Sequence, residues 1–544
     1  MTDQGAAGSR GRKQGTSVIC LSMHTIGEPF RAKSTSDVTG PCHPTYTIAR
    51  SGSSRQRLRS TPAACPGVHA RARRRATHVI AALGRPVCRT LAVLTFLAMP
   101  SAVNAQSDRP DYRNLRFDEV WTAAQRTSHW DDAIKAMPVT PDGSVTVTLG
   151  GQLRWREELF RGFNLTRQDD DHAQSRVLVS GDVQVGQRAH WHGRLFAEVR
   201  DAQSYGRTLP GGARPADADR HDMQNLFADI AYGASYVRYG RQEIALNRER
   251  LFGVPDWSNT RRGSEGTRAQ LIRGRIALEV IDVRPVLVRQ SGANIADSAA
   301  RFQTISLGSA PGAAPLVRGA PALWQGYRYA QTVRVGDTHV HRVTTGGRTQ
   351  WQWGAADGPR RYQVELEAAR QHGHSGARTL AASFWVLEST TTWKQRRGAP
   401  SLAVGVEEAS GDNAGTAPLE TFAVLYPAAH AHGGFADVIG RANVREIHLI
   451  GTWDPFAPLA LRTAVYRFDR RRLDDGIYTK QNTLFRAAGT SRARHAADEI
   501  DLTATWRASR HWKMIAGGAV VLPGAFLSGA RTERWGFVGT AWTF

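Results

Sequence analysis

The sequence predicts an all-β protein: a transmembrane, outer-membrane antiparallel β-barrel of 16–18 strands, with long extracellular loops. Three observations carry this. Apolar and polar residues alternate with period two in one segment after another, and the polar face holds charge at mid-strand. No stretch after the first hundred residues approaches the ~20 continuous apolar residues of a membrane helix. The chain closes on RWGFVGTAWTF, which puts Val538, Thr540, Trp542 and the terminal Phe544 on one face. Apolar outward, polar inward and aromatic at the edges is the pattern of strands with lipid on one side and water on the other.

Four segments follow in order. Residues 1–78 are rich in Arg, Gly and Ser and aperiodic, and read as an over-called N-terminal extension without ordered structure. Residues 79–105 read as a signal peptide: Arg85 and Arg89, then the apolar run Leu91–Met99, then the small-residue site Val103-Asn104-Ala105, with cleavage after Ala105. Residues 106–143 form an N-terminal periplasmic segment in which Tyr112–Met137 looks helical. The barrel occupies residues 144–544.

Cutting after Ala105 removes Cys20, Cys42, Cys65 and Cys88, which are all four cysteines, and keeps all fifteen tryptophans. Disulfide frameworks and cysteine chemistry are thereby excluded. The remainder stays net positive, almost entirely through arginine, since its only lysines are Lys135, Lys394, Lys480 and Lys513. Arginine makes planar, bidentate contacts with carboxylates, so an anionic ligand is the first inference from composition.

The strands are legible one by one. Val145–Trp155 (VTVTLGGQLRW) alternates Val, Val, Leu, Leu and Trp with Thr, Gln and Arg. Arg176–Val185 sets Val177, Val179, Val183 and Val185 against Ser180, Asp182 and Gln184. Trp191–Val199 places His192, Arg194 and Glu198 on its second face, and Leu226, Ala228, Ile230 and Tyr232 alternate with Asn225, Phe227 and Asp229. At ~22–26 residues per strand with its connection, the ~400 residues give 16–18 strands, enough to enclose an aqueous channel. Gly186–Ala189 is short and reads as a periplasmic turn. Gln203–Asp222, Leu246–Gly266, Gln290–Trp324 and Asp469–His495 are long and polar, and belong outside or folded into the pore.

The ordered motifs resemble the alginate export family. They are RFDEVW, then LGGQLRWREE (Leu149–Glu158), then YGRQEI (Tyr239–Ile244) leading into RLFGVPDWSNTRRGSEGTR. ASGDN (Ala409–Asn413), FAVLYPAAHAHGGFADVIGRANVREIHL (Phe422–Leu449), EIDLTATW (Glu499–Trp506) and the aromatic closing strand follow. Each motif alone is weak, and their shared order over about Tyr112–Phe544 is specific. The resemblance implies an eighteen-stranded barrel with an electropositive, Arg-lined constriction that passes a polyuronate.

The candidate pore-lining residues are Arg154, Arg156, Arg176, Arg194, Arg238, Arg241, Arg250, Arg261, Arg262 and Arg268, with the acids Glu243, Asp256 and Glu265. Two readings of them stand side by side. Arg–acid ladders brace wide barrels, whereas surplus guanidiniums replace the hydration of a passing carboxylate and favour anions. The pairs His339/His341, His372/His374 and His430/His432 have the i, i+2 spacing of a shared strand face, without an evident third metal ligand. Ser410–Asn413 and Asp169–Asp171 are more simply solvated loops than Ca²⁺ sites. No catalytic residues, cofactor or metal are assigned, because no nucleophile elbow, phosphate loop or zinc spacing occurs. The expected partners are outer-membrane lipid, an anionic saccharide or organic anion, and periplasmic export machinery. Nucleic acid is disfavoured, the charge being strung along alternating strands. A general or small-anion porin, and an outer-membrane enzyme acting on polyuronate, are the rival functions.

Overall fold

The computed structural model describes residues 109–122, 129–317, 319–355 and 357–544. The signal and its cleavage site lie outside these residues. Eighteen antiparallel strands form the wall. The first six are β1 (Val145–Arg161), β2 (Asp169–Gly186), β3 (Trp191–Tyr205), β4 (Asp219–Tyr232), β5 (Ser235–Gln242) and β6 (Ser264–Arg273). The next six are β7 (Ile276–Leu287), β8 (Ala300–Ser309), β9 (Leu323–Val335), β10 (Thr338–Trp353), β11 (Arg360–Ser375) and β12 (Arg378–Trp393). The last are β13 (Ser401–Ala409), β14 (Val444–Phe456), β15 (Leu459–Arg470), β16 (His495–Arg507), β17 (Trp512–Pro523) and β18 (Glu533–Thr543). Each pairs with the next in sequence, and β18 returns to β1 with Trp542 opposite Leu153 and Val538 opposite Glu157. Closure leaves no sheet edge, the condition for a sheet to sit in hydrocarbon.

Side-chain parity follows the sequence pattern. Leu153, Trp155, Val179, Ile230, Val538 and Trp542 are exposed on the outer surface. Gln174, Arg176, Glu198, Phe227 and Asp229, on the opposite parity of the same wall, are buried inside. The terminal residue closes the sheet, since Phe544 and Gly151 exchange both backbone hydrogen bonds, at 2.9 and 3.0 Å. Trp542 stacks at 5.7 Å on Trp130 of the N-terminal segment.

Two expectations are corrected. Gln290–Trp324 is not one loop: it contains β8, paired to β7 and β9, and its two halves lie at opposite ends of the barrel. The strand was hidden because its outward face mixes Arg301 and Gln303 with Ile305 and Leu307, while its inward face holds Thr304 and Ser306. Nor is Tyr112–Met137 an α-helix where it is described. Only the 3-10 turns Arg116–Asp118 and Trp130–Ile134 occur, and residues 123–128 lie outside the described set. Contacts with the barrel floor override the helical pattern: the Arg116 guanidinium donates to the Phe544 carbonyl at 2.6 Å, and Phe117 packs edge-on against Phe196 and Phe227 inside the barrel.

The interior is filled by chain folded inward. Residues 243–263, between β5 and β6, cross the lumen, and residues 410–443, between β13 and β14, meet them there. Phe252 and Tyr426 form a parallel bridge between the two, with Gly253 N–H donating to the Tyr426 carbonyl and Tyr426 N–H to the Leu251 carbonyl, both at 3.0 Å. Aromatic packing fixes both loops to the wall. Phe252 and Trp257 of the first lie 4.3 Å from Phe302 of β8 and 4.7 Å from Phe537 of β18, and Phe422 of the second lies 5.4 Å from Phe384 of β12. The entry to the first loop needs glycine: Gly240 sits at φ 134°, and a Cβ there would meet the Leu226 carbonyl at 2.3 Å.

Candidate functional site: a loop-built constriction

The constriction is assembled around residues 243–263, whose two flanks reach different walls. On the β1–β5 side, Asp256 is the hub. Arg176 bonds its carboxylate at 2.8 Å, and Arg261 lies 3.6 Å from it. Arg154 reaches only uncharged oxygens there: the Asp256 carbonyl at 2.7 Å and the Asn259 side-chain oxygen at 3.0 Å. Burial alone would raise the Asp256 carboxyl, but Arg176, Arg154 and Arg261 outweigh it and hold the group far below the ordinary carboxylate range. Arg261 also bridges Glu243 at 2.8 Å and Glu198 at 3.2 Å, and donates to the Asn114 carbonyl at 2.7 Å, which ties the loop to the N-terminal segment. Arg156 holds Glu158 at 2.8 Å and lies 4.0 Å over the Trp257 ring.

On the far side the wall is acidic. Arg250 is buried against Glu365 and lies 3.4 Å from Glu367 and 3.8 Å from Glu388. Arg248 adds contacts at 3.1 and 3.0 Å to Glu365 and Glu388, and Arg348 bonds Glu365 at 2.9 Å. Coulombic attraction from these carboxylates overcomes the desolvation of Arg250 and raises its pKa. Where the loops cross, Arg250, His432, Arg441 and Lys480 surround a cavity of about 20 Å³, enough for a water and too small for a sugar ring.

Arg262 differs from its neighbour Arg261. It donates to the carbonyls of Gly253 at 2.8 Å and Pro427 at 3.3 Å, and its guanidinium lies 5.4 Å over the Tyr426 ring. Burial pulls its pKa down to about 10, so it stays cationic at neutral pH. Arg342 on β10 also acts on Tyr426 and donates to the Gln331 side chain at 2.9 Å. Among the described residues neither guanidinium pairs with a carboxylate.

The remaining sequence-selected residues spread along the wall. Arg194 pairs with Asp182 and Arg238 with Asp229, each at 2.7 Å, and Arg268 pairs with Glu279 at 2.6 Å. Arg241 and Glu265 are corrected. They face each other across β5 and β6 in register with Leu226, which points outward, so both lie on the outer parity of the wall. Arg241 bonds Glu265 at 2.6 Å, Asp222 at 2.8 Å and the Asn294 carbonyl at 2.8 Å there, at the upper rim. The expected partners also shift: Arg250 and Arg268 use Glu365 and Glu279 rather than Glu243, Asp256 or Glu265.

Sequence reading missed the acidic wall and the second in-folded loop. Glu365 and Glu367 alternate with Val364 and Leu366 on β11, a period-two signal that was available. The inward path of residues 410–443 left no such signal. The histidine pairs do not assemble metal sites, and no group of three His, Cys, Asp or Glu suited to a metal occurs among the described residues. His341 and His374 are cross-strand neighbours, with rings 5.7 Å apart.

Solved structures from Pseudomonas aeruginosa resemble this one. OccK2 (OpdF) in complex with glucuronate is 12% identical with a TM-score of 0.50, the match covering 73% of this chain and 96% of that chain. OccD3 (OpdP) is 10% identical at a TM-score of 0.49, covering 73% and 91%. At these identities the likeness speaks for the fold alone. No curated protein matches the chain. The family model for alginate export matches residues 145–539, from the first residue of β1 to within β18. The closed eighteen-stranded barrel is thus an outer-membrane channel, and the chain belongs to the alginate export family.

Proposed function

We propose that the channel passes anionic solutes, in the first place an acidic polysaccharide or oligosaccharide of the alginate type. The observation that carries this is the set Arg154, Arg262 and Arg342, lumenal guanidiniums whose hydrogen bonds all go to uncharged oxygens. Arg262 and Arg342 pair with no carboxylate among the described residues, so their charge remains available to a passing one, while Arg154 makes no ion pair but shares the field of Asp256 with Arg176 and Arg261. Neutral partners orient each guanidinium without cancelling it, which suits weak binding sites in series.

A second reading, a porin for small organic anions, is favoured by one finding. A structure of similar fold holds glucuronate, a monomeric uronate. The two readings part in planar bilayers. The wild-type pore should prefer anions, and uronate oligomers should block its current at lower concentration than glucuronate does. Equal block by monomer and oligomer would favour the small-anion porin. Replacing Arg154, Arg262 and Arg342 by Ala should move the reversal potential toward cations and weaken block. An unchanged reversal potential would reject these residues as the selective elements.

A further inference from the structure

The outer surface of β9–β11 carries positive charge with no carboxylate on the same face of these strands. Arg328 and Arg334 on β9, His339 and His341 on β10, and Arg370, His372 and His374 on β11 all share the outward parity of Leu366. Register sets Arg328 beside Thr345 and Thr345 beside Arg370, while Arg334 stands beside His339. No carboxylate occupies the outward positions of β9, β10, β11 or β12. Among the described residues the side chains of Arg328, Arg334 and Arg370 form no hydrogen bond or ion pair, and Asp337 in the adjoining tight turn pairs with none of them.

Elsewhere on the outer face, arginines commonly reach an acid. Arg301 holds Asp282, Arg445 and Arg471 share Glu408, and Arg161 bonds Asp171 at 2.9 Å. The unpaired patch is therefore a local departure from the rule of this wall. Its height gives it meaning. The lower aromatic edge is marked here by Trp353 and Tyr362, whose rings lie 6.1 Å apart. Arg370 follows eight residues up β11. At about 3.4 Å per residue and a tilt near 40°, that places it about 20 Å higher, close to the top of a ~25 Å apolar band. The histidines and Arg334 stand higher still, and the two-residue turns at 336–337 and 376–377 leave no loop to cover them.

An arginine at this level can bend its guanidinium upward into the headgroups, where phosphate is the planar, bidentate acceptor that suits it. We propose that the outer face of β9–β11 binds phosphate-bearing anionic lipid of the outer leaflet, with Arg328 and Arg370 as its principal contacts. The site is independent of the lumen and of whatever the pore conducts.

The test uses the full barrel in detergent micelles, with bisphosphoryl lipid A as the probe and native mass spectrometry as the readout. Wild type should retain the lipid, and R328A/R370A should bind it more weakly by about fivefold for each arginine. The variant should still fold, because alanine takes a charge off the lipid face, and a heat-dependent gel shift checks this. R328K/R370K, which keeps both charges, should recover most of the binding. Binding of R328A/R370A within twofold of wild type overturns the proposal. So does displacement by inorganic phosphate at the same concentration as the lipid, since that would mark an ion site rather than a lipid site.

Discussion

The crossing loop is held by one chemistry at its two flanks and by another where it meets the second loop. At one flank Arg261 is buried among Glu198, Glu243 and Asp256, and at the other Arg250 is buried among Glu365, Glu367 and Glu388. Beside the second loop, Arg262 is held by carbonyls and an aromatic ring. Arg261 and Arg262 adjoin in sequence and share a loop, yet one is neutralised and the other keeps its charge. The difference teaches that an arginine inside a barrel braces or selects according to the charge of its partners, and the residue type alone does not say which.

Breaking the brace should give the largest effect. Arg261→Ala strands Glu198 and Glu243, and Arg250→Ala leaves Glu367 without its ion pair while Glu365 keeps Arg248 and Arg348. Removing one partner of a buried ionic cluster typically costs about 3–5 kcal/mol. Urea midpoints in micelles should fall accordingly, while a loss below about 1 kcal/mol would mean that water reaches these carboxylates. Arg262→Ala removes hydrogen bonds to carbonyls and should cost about 1–2 kcal/mol. Its signature is electrical: one positive charge leaves the lumen, where charges within a ~10 Å Debye length of a passing ion are incompletely screened, and selectivity moves toward cations. If Arg261→Ala shifted the reversal potential as far as Arg262→Ala, the division between brace and selector would fail.

A smaller effect is expected from pH. Asp256 has a folded pKa held below its unfolded value near 4, so its stabilising contribution is complete above that value. It is lost only as the pH falls through the lower folded value. Burial raises the pKa of Glu243 beside Arg261 to about 7, so the Asp256 contribution is read as the difference in single-channel conductance between wild type and Asp256→Asn, which should stay level from pH 7 to about pH 4.5 and fade only in stronger acid. A change in that difference already at pH 5 would mean that Asp256 titrates in its ordinary range, without three arginines around it.

Legibility in the sequence follows the same physics. The wall was readable because every strand meets lipid on one side, which enforces period two on β1–β4 and on the closing β18. β8 escaped because its outward residues near the rim are polar and its inward ones small. In the lumen, the presence of arginine was legible but its partner was not. Arg250 finds Glu365 more than a hundred residues away, through a loop path that leaves no periodicity. The N-terminal segment likewise read as a helix because Phe117 and Trp121 have amphipathic spacing, whereas they serve as anchors into the barrel floor.

Arg241 sharpens the comparison by its silence. It sits in the same motif as Arg261 and Arg262, and its residue type and neighbours gave it equal standing as a pore residue. Parity moves it away: Gly240 and Gly266 occupy the inward row beside Phe227, so Arg241 and Glu265 take the outward row beside Leu226. Its guanidinium is used up at the upper rim by Asp222, Glu265 and the Met223 and Asn294 carbonyls. Glu265 is about a third exposed, so that pair contributes at most about 1 kcal/mol, and buried Asp222 keeps the Met223 and Asn294 N–H donors when the guanidinium is removed. Arg241→Ala should thus leave the reversal potential within error of wild type and lower the urea midpoint only slightly. A shift toward cations as large as that of Arg262→Ala would return Arg241 to the lumen, and the register of β5 against β6 would have to slip by one residue to allow it.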